Sequence, residues 1–243
     1  MNRTAELQVS QDRIANAVRV EPRVFAPSHV VGVDAGYVAV DGEIGGNSVG
    51  VGVGAAVVID AISLEVVDQA VVRVEVAVEY VPGFLAFREA PVVLAAIDAL
   101  THAPELVVCD GHGIAHPQRA GLACHVGVEL GVPAIGCAKN LLVGAHGPLC
   151  AERGSTAKIL DNDVVIGAVL RTQTNVNPVF VSPGHLVDVE SSVRVVLDLA
   201  RDYRLPETTR AADQLARAET KNCLLYTSPS PRDKRQSRMP SSA

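Results

Sequence analysis

Apolar residues recur along this chain with two different periods, and the period at each point predicts a helix or a strand. Residues 1–20 (MNRTAELQVSQDRIANAVRV) carry Glu6, Asp12 and Arg13 among helically spaced apolar positions, which predicts an amphipathic helix and not a signal peptide. Three β-branched runs follow at hairpin spacing: His29–Val40, Gly50–Asp60 and Glu65–Val78. They predict a three-stranded antiparallel meander.

The second half of the pattern alternates between the two periods. Helical spacing predicts helices at Phe87–Leu100, Arg119–Leu130 and Val189–Arg201, with a last helix around Asp213. Short buried runs predict strands at Glu105–Asp110, Val132–Cys137, Val164–Arg171 and Pro178–Ser182. Because strands come first and crossovers later, the pattern predicts an α/β fold with a central mixed β-sheet flanked by helices.

Composition narrows the class of protein. The chain has 243 residues, 48% of them apolar and 20% charged, which fits one compact domain with room for a cleft. No stretch approaches 18 consecutive apolar residues, so we expect a soluble, cytoplasmic protein without membrane association. The five cysteines form no CxxC pair, and we expect reduced, mostly buried thiols.

The C-terminal segment differs in character from the rest. Residues 222–243 (NCLLYTSPSPRDKRQSRMPSSA) are rich in Ser, Pro and Arg and have no apolar period. Most of this segment resembles a translated sequencing adapter, which predicts a non-native, disordered tail after a single catalytic domain over residues 1–221. The alternative is a genuine basic tail that binds nucleic acid.

The formal net charge of −6 argues against a protein that coats nucleic acid through a broad basic surface. A local basic groove is compatible with it. An acidic total also fits a site that concentrates carboxylates around a divalent cation, since the metal cancels part of their charge.

Three acids stand at positions where a sheet and its helices present side chains to a cleft. Asp34 interrupts an apolar strand, Glu89 stands at the entrance of the Phe87 helix, and Asp110 ends the run ELVVCD. Two carboxylates about 4 Å apart repel by roughly 4 kcal/mol at an effective dielectric near 20, so adjacent acids need a cation. Mg²⁺ suits oxygen ligands of this kind. Each acid taken alone is also compatible with a helix cap or an ion pair.

Longer motifs link these acids to a known family. The blocks YVPGFLAFRE (residues 80–89), CDGHGIAHPQRAGLA (109–123) and GVPAIGCAKNLLVG (131–144) resemble the signature blocks of endonuclease V. The flanking blocks VGVDAGY (31–37) and YRLPETTRAAD (203–213) match in the same register, so the resemblance spans about residues 5 to 220.

The resemblance implies a ribonuclease H-like fold and an endonuclease that produces 5′-phosphomonoesters. It implies cleavage of the second phosphodiester bond 3′ to deoxyinosine in DNA, or to inosine in RNA, in the repair of deaminated adenine. Carried onto this chain, Asp34, Asp110 and Glu89 form the acidic metal site, with Mg²⁺ as cofactor and Mn²⁺ as a substitute. Asp213 takes the position of a further acid or His and is assigned to a second metal or to water activation. The choice between one and two metals stays open, and we expect a monomer.

The same resemblance supplies candidate residues for substrate recognition. Tyr80, Val81, Pro82 and Gly83 match the family wedge, which fills the gap left when a base is extruded from the duplex. Lys139 is expected to face a phosphate. Candidates for a pocket whose backbone approaches the displaced base are Gly83, Leu85, Gly111, Gly113 and Gly121, since glycine permits close contact. His116 is a candidate contact to the substrate or its phosphate.

His112 and His116 are four residues apart, but the glycines and Pro117 around them disfavour a helix, so a zinc pair there is a weak hypothesis. We expect His112 to be a structural hydrogen-bonding residue and His125 to pack within its helix.

Two alternative functions remain at this point. One is a ribonuclease H-like nuclease for branched or mismatched DNA, which keeps the acids and differs in the wedge. The other is a non-catalytic protein that binds inosine-containing nucleic acid. The chain also departs from the family pattern, with Glu79 before the wedge Tyr and Thr208 in LPETTR where the family commonly has Pro.

Overall fold

The computed structural model describes residues 3–22, 26–39, 50–76 and 81–227, and within these ranges the chain forms nine strands and five helices. In chain order they are α1 (Arg3–Ala17), β1 (His29–Ala39), β2 (Gly50–Asp60), β3 (Val66–Val76), α2 (Ala86–Asp98), β4 (Val107–Cys109), α3 (Leu122–Leu130), β5 (Ala134–Ala138), β6 (Ala145–His146), β7 (Thr156–Asp161), β8 (Val164–Leu170), β9 (Val179–His185), α4 (Val189–Leu199) and α5 (Glu207–Thr227).

The strands form one mixed sheet in the order β3-β2-β1-β4-β5-β9-β8-β7-β6. The predicted meander is confirmed, because β1 pairs antiparallel with β2 and β2 with β3. β4 runs parallel to both β1 and β5, which places two crossover helices between parallel strands. The predicted central mixed sheet flanked by helices is therefore confirmed.

Helices cover both faces of the sheet. On one face, α2 and α3 bury a cluster that includes Val33 of β1, Val93 of α2 and Val126 of α3. On the other face, α4 packs on β4, β5 and β9, and α5 packs on β1 and β2. Successive residues of a strand point to opposite faces, so Gly32, Asp34 and Gly36 share the α5 face, opposite Val33.

Two glycines of β1 allow α5 to lie unusually close to the sheet. A methyl group on Gly32 would come within 2.2 Å of the Thr208 carbonyl, and one on Gly36 within 2.4 Å of Thr220 Oγ1. A side chain at Gly32 would meet the backbone of α5, and one at Gly36 would require the Thr220 side chain to shift. Asp34 lies between these two contacts on the same strand face, so the helix that rests on the glycines passes directly over Asp34.

Several element boundaries differ from the sequence expectations. The helix expected from Arg119 begins at Leu122, after Arg119 takes a left-handed conformation with φ of 56°. The pattern also missed β6 and β7. Within the predicted tail, α5 continues past Asn222 to Thr227, and Cys223 is buried against Val38 and Val53.

The cysteines match the expectation of reduced, mostly buried thiols. The described cysteines are all free thiols, four buried and Cys150 exposed. Among the helices of the described residues, each is too short or too polar to cross a bilayer.

Candidate active site

Asp34 and Asp110 come from neighbouring parallel strands. In the register of β1 and β4, Val33 is the partner of Cys109, and the Asp110 N–H donates to the Val33 carbonyl at 3.4 Å. Asp34 and Asp110 each follow the last paired residue of this register. Since parallel strands keep their residues in step, the two carboxylates emerge side by side at one end of the sheet.

Asp213 joins them from α5. The close packing of α5 on β1 brings the helix over Asp34, and Asp213 contributes electrostatically to the raised pKa of Asp34. The Asp213 carboxylate pairs with Arg217 one turn later: Nε donates a hydrogen bond to Oδ1 at 3.0 Å and lies 2.9 Å from Oδ2. This arginine is largely exposed, with 71% of its side-chain surface accessible.

Glu89 approaches from the opposite layer, in the first turn of α2. Burial raises the pKa of Glu89 to about 8, and the negative charges of Asp34 and Asp110 add to the effect, with Arg88 opposing it. The residue still lines the wall of a cavity, described below. Glu89 therefore belongs both to the acidic cluster and to the pocket beside it.

The pKa of Asp34 is raised for the same reasons. Burial raises its pKa from 3.8 to about 7, followed by repulsion from Asp110 and then Asp213, against weaker stabilisation from the Ala35 backbone and Lys139. Because removal from water and like charges both disfavour the ionised form, the cluster is short of positive charge. A perturbed acid in a cleft is typical of a functional site.

Lys139 supplies part of the missing charge. Its Nζ lies 2.5 Å from Asp110 Oδ2. Burial lowers the pKa of Lys139, but the hydrogen bond and charge of Asp110, with Asp213 and Asp34, outweigh burial and raise it, so the amine stays protonated. The backbone carbonyl of Lys139 in turn accepts a hydrogen bond of 2.8 Å from Arg204 Nη2.

The carboxylates of Asp34, Glu89, Asp110 and Asp213 are ligands that suit a hard divalent cation, but their side chains are not arranged around a single point. The acids offer only carboxylate oxygens, the ligands that Mg²⁺ prefers, and a cation would relieve the repulsion that contributes to the raised pKa values of Asp34 and Glu89. Within the described part of the chain, no three His, Cys, Asp or Glu side chains converge closely enough to chelate an ion. Lys139 and Arg217 hold Asp110 and Asp213, and a metal ion would take the place of these cations.

A cavity of about 330 Å³ opens beside the acids. Its lining includes Glu89 and Asp110 together with residues from the segment before α2, from the starts of α2 and α3, and from the loops after β4 and β5: Gly83, Leu85, Ala86, Gly111, His112, His116, Pro117, Gly121, Leu122 and Leu142. This volume and a mostly apolar wall with a few polar groups are typical of small-ligand pockets.

The rim of the cavity carries a rigid turn. The Phe84 N–H donates to the Val81 carbonyl at 2.9 Å, and Gly83 has φ of 83°, so Val81–Phe84 is a type II turn with Pro82 and Gly83 in the central positions. Pro82 and Gly83 are exposed. Tyr80 and Glu79 lie outside the described residues.

Most of the predicted pocket residues line this cavity, and Gly113 does not. Gly83, Leu85, Gly111, His116 and Gly121 are part of its wall. Gly113 lies behind it, where a methyl group would come within 2.0 Å of the Pro183 carbonyl and where its N–H donates to Ser182 Oγ. Its small size therefore serves the contact between the loop and β9.

The histidines occupy distinct places. The ring of His112 donates Nε2–H to the Asn140 carbonyl at 3.0 Å. Burial lowers the pKa of His116 to about 4, and its Nδ1 accepts the Gln118 N–H at 3.3 Å, which leaves the proton of the neutral ring on Nε2. His125 is buried in α3 with its ring edge-on to Phe87.

Sequence reasoning missed several residues of the site. Leu142, an exposed leucine, lines the cavity from a loop without periodicity. Arg204 and Arg217 support Lys139 and Asp213 through hydrogen bonds. The i, i+4 spacing of Asp213 and Arg217 on a helix was a signal for that pair.

Comparison with known proteins gives the family. The sequence profile described as Endonuclease V matches residues 12–214. This chain belongs to the endonuclease V family. An endonuclease V from Geotalea uraniireducens is 47% identical over 220 residues, which cover 90% of this chain and 89% of that protein.

Solved structures of endonuclease V have the same fold as this chain. The crystal structure of endonuclease V from Streptomyces avermitilis has a TM-score of 0.82 and 45% identity, covering 90% of this chain and 93% of that one. An endonuclease V from Ciona intestinalis, crystallised with a 24mer DNA containing an inosine followed by a ribo-adenosine, has a TM-score of 0.73 at 23% identity, covering 92% of this chain and 100% of that one. The last likeness is one of fold.

Family membership confirms two expectations from the sequence. The fold is ribonuclease H-like, and the chain is an endonuclease.

Proposed function

We propose that this endonuclease V recognises deoxyinosine in DNA and cleaves the second phosphodiester bond on its 3′ side, leaving 3′-hydroxyl and 5′-phosphate ends. The observation that carries the proposal is the shared wall of the acidic cluster and the cavity. Glu89 and Asp110 line the cavity and also belong to the cluster with Asp34. A base held in this cavity would keep its own strand next to the acids.

Base recognition follows from the chemistry of the cavity. A base must leave the stack to enter it, which costs a few kcal/mol and less for a poorly paired base such as hypoxanthine. The Val81–Phe84 turn at the rim is preorganised by Pro82 and Gly83 and can fill the space that the base vacates. His116 Nε2–H is a donor suited to the O6 acceptor of hypoxanthine.

We propose Mg²⁺ as the cofactor, with Mn²⁺ as a substitute, held by Asp34, Asp110 and Glu89, with Asp213 as a further ligand or as the group that orients the attacking water. Such a cation neutralises phosphate charge and acidifies a water molecule. Lys139 then exchanges its Asp110 contact for a phosphate oxygen. The negative phosphate oxygen would replace Asp110 in favouring the protonated amine.

The test is cleavage of a duplex that contains one deoxyinosine, in Mg²⁺, with the product mapped to the nucleotide. We expect a single nick, one nucleotide beyond the linkage adjacent to the lesion. Equal nicking of an undamaged duplex, or of a flap or junction without inosine, would refute the specificity. A matched inosine-containing RNA run beside it compares the two substrates.

Removal of the central ligand is a second test. Asp110→Asn keeps the shape of the side chain and removes its charge, so we expect loss of cleavage by at least about 100-fold with retention of binding to the deoxyinosine duplex. Asp163→Asn changes an exposed aspartate in the turn between β7 and β8 and serves as the matched control. An active Asp110→Asn enzyme would show that the metal is placed wrongly.

A further inference from the structure

The side chain of Gln11 is buried in α1, far in sequence from the site. Only 1% of the residue is exposed. Its Nε2 donates to the carbonyl oxygen of Gly83 at 3.0 Å, a contact between residues 72 positions apart. Glutamine is mostly exposed in proteins, so a fully buried amide that contacts a turn needs a reason.

The acceptor belongs to the turn at the rim of the cavity. Gly83 is the third residue of the Val81–Phe84 turn, and it lines the cavity. The internal hydrogen bond of the turn fixes its shape but not its orientation toward the cavity. A hydrogen bond from outside the turn, at Gly83, restrains that orientation.

The helix that carries Gln11 is anchored to the other wall of the cavity. Ile14, one turn after Gln11, is buried against Ala120 and Cys124, which belong to the loop after β4 and to α3. The Arg13–Glu129 pair, at 3.5 Å and well exposed, adds little to this anchor. Helix α1 therefore packs through Ile14 on residues adjacent to one wall, which includes Gly121 and Leu122, and bonds through Gln11 to the rim of the other.

From this bridge we infer that Gln11 is a positioning residue, which holds the Val81–Phe84 turn at the distance from the Gly111–Gly121 loop that a displaced base requires. The inference deepens the proposed function and rests on it. It assigns α1 a part in substrate recognition, although α1 contributes no residue to the acidic cluster.

The other end of the amide makes a clean variant available. Gln11 Oε1 is buried and has no hydrogen-bond partner among the described residues. Gln11→Met keeps the length of the side chain, removes this unsatisfied acceptor and removes the donor to Gly83. Its stability should stay close to that of the wild type because the loss of a bond is offset by the loss of an unpaired polar atom. Gln8→Met is the matched control, since Gln8 lies on the same helix, is only partly buried and donates a hydrogen bond to Asp12 instead of to the turn.

The first measurement is hydrogen exchange of the peptide that contains residues 81–87, in the absence of substrate. We expect faster exchange in Gln11→Met and no change in Gln8→Met. Unchanged exchange in a folded Gln11→Met protein overturns the tether, whatever the enzyme cleaves. If Gln11→Met fails to fold, Gln11→Asn breaks the same contact by shortening the side chain and is judged by the same criterion.

The second measurement is single-turnover cleavage of the deoxyinosine duplex. For Gln11→Met the enzyme concentration that gives half the maximal rate should rise about 3- to 10-fold, which is the change expected from the loss of one hydrogen bond. The maximal rate should be unchanged. A 2-aminopurine placed beside the lesion reports unstacking of the duplex. At equal enzyme concentration, we expect Gln11→Met to unstack it correspondingly less than the wild type does. A change in the maximal rate alone, or equal changes in Gln8→Met, overturns the inference. Failure of the wild type to cut this duplex overturns the proposed function instead, and the exchange result stands apart from it.

Discussion

Single carboxyl groups at this site are held in an environment that disfavours their charge. Asp34 and Glu89 have pKa values of about 7 and about 8, against ordinary values of 3.8 and 4.5, with burial as the main cause. Without a cation, the folded protein therefore keeps protons near neutral pH that the unfolded chain has already released. Stability, pH and metal binding are linked through these groups.

We predict that the metal-free protein loses stability as pH rises from about 5 to 8, between the unfolded and the folded pKa values of these carboxyls. A raised folded-state pKa contributes stability that is complete below the unfolded pKa and disappears as pH passes the folded value, here about 7 for Asp34 and about 8 for Glu89. His116 and His125, with pKa values lowered to about 4 by burial, are neutral throughout this window.

The measurement is the melting temperature in a chelator, which should fall by about 5 °C across the window and recover in Mg²⁺. Asp34→Asn should flatten the slope. A melting temperature in chelator that is independent of pH would contradict this account of the carboxyls.

A second prediction at this scale concerns Arg217. Its contacts with Asp213 compete with any cation that uses the same oxygens, so Arg217→Ala should lower the half-saturating Mg²⁺ concentration for cleavage by about twofold, the value of an exposed helical ion pair. Arg73→Ala is the control. Arg73 lies in β3 and pairs with Glu219, which is on α5 as Asp213 is. Equal Mg²⁺ requirements in the two variants would show that Arg217 does not compete.

At the scale of elements, the site depends on how closely α5 packs on β1. Gly32 faces the Thr208 backbone and Gly36 faces the Thr220 side chain. A backbone neighbour cannot move aside, whereas a side chain can be removed by mutation. The two glycines therefore differ in how a methyl group could be accommodated.

We predict that Gly36→Ala destabilises the protein by about 1–3 kcal/mol and that Thr220→Ala relieves most of that cost. The added methyl would meet Thr220 Oγ1 at 2.4 Å, and without this oxygen the next atom, Thr220 Cβ, is 3.6 Å away. A double-mutant cycle by urea unfolding measures the coupling. Gly147→Ala, at a position with no neighbour within 4 Å, is the control. Additive effects of the two mutations would contradict the steric explanation.

Elements with a strong apolar period could be predicted from the sequence, and those held by turns could not. β2 matches its predicted bounds, and Gly131, with φ of 67°, ends α3 at the predicted Leu130. β7 was missed because Lys158 and exposed residues weaken its alternation. The signal lay in its turn, where Asn162 and Asp163 both have positive φ, as a type I′ hairpin requires.

The site was predictable to a similar degree. The acids and Lys139 stand in long motifs, and the structure brings them together. Their cationic partners and the neighbours of the cavity depend on contacts between distant segments, as with Arg204 and Lys139. Such contacts leave no periodic pattern in the sequence, so neither the apolar periodicity nor the family resemblance predicted them.

At the scale of the whole molecule, the C-terminal boundary of the domain affects both stability and the site. The sequence places the end of the domain at residue 221, whereas α5 runs to Thr227 and buries Cys223 against Val38 and Val53. These contacts hold the distal end of the helix that carries Asp213.

We predict that deletion of residues 228–243 leaves the melting temperature unchanged and that deletion of residues 222–243 lowers it by about 3 °C or more, because the second cut removes the buried Cys223 side chain and the last helical turns. Thermal unfolding of both truncated proteins beside the full chain tests this. A large loss from the shorter deletion would show that the tail is part of the fold.

The origin of the four acids has a consequence for the order of events during synthesis. Asp34 is supplied by an early strand, and Asp213 by the last helix. A growing chain that has made its first three strands holds one acid, and it lacks the cluster until nearly all of the sequence has been translated and α5 has docked. The proposed catalytic centre would therefore be complete only after α5 has been synthesised and has docked on the sheet.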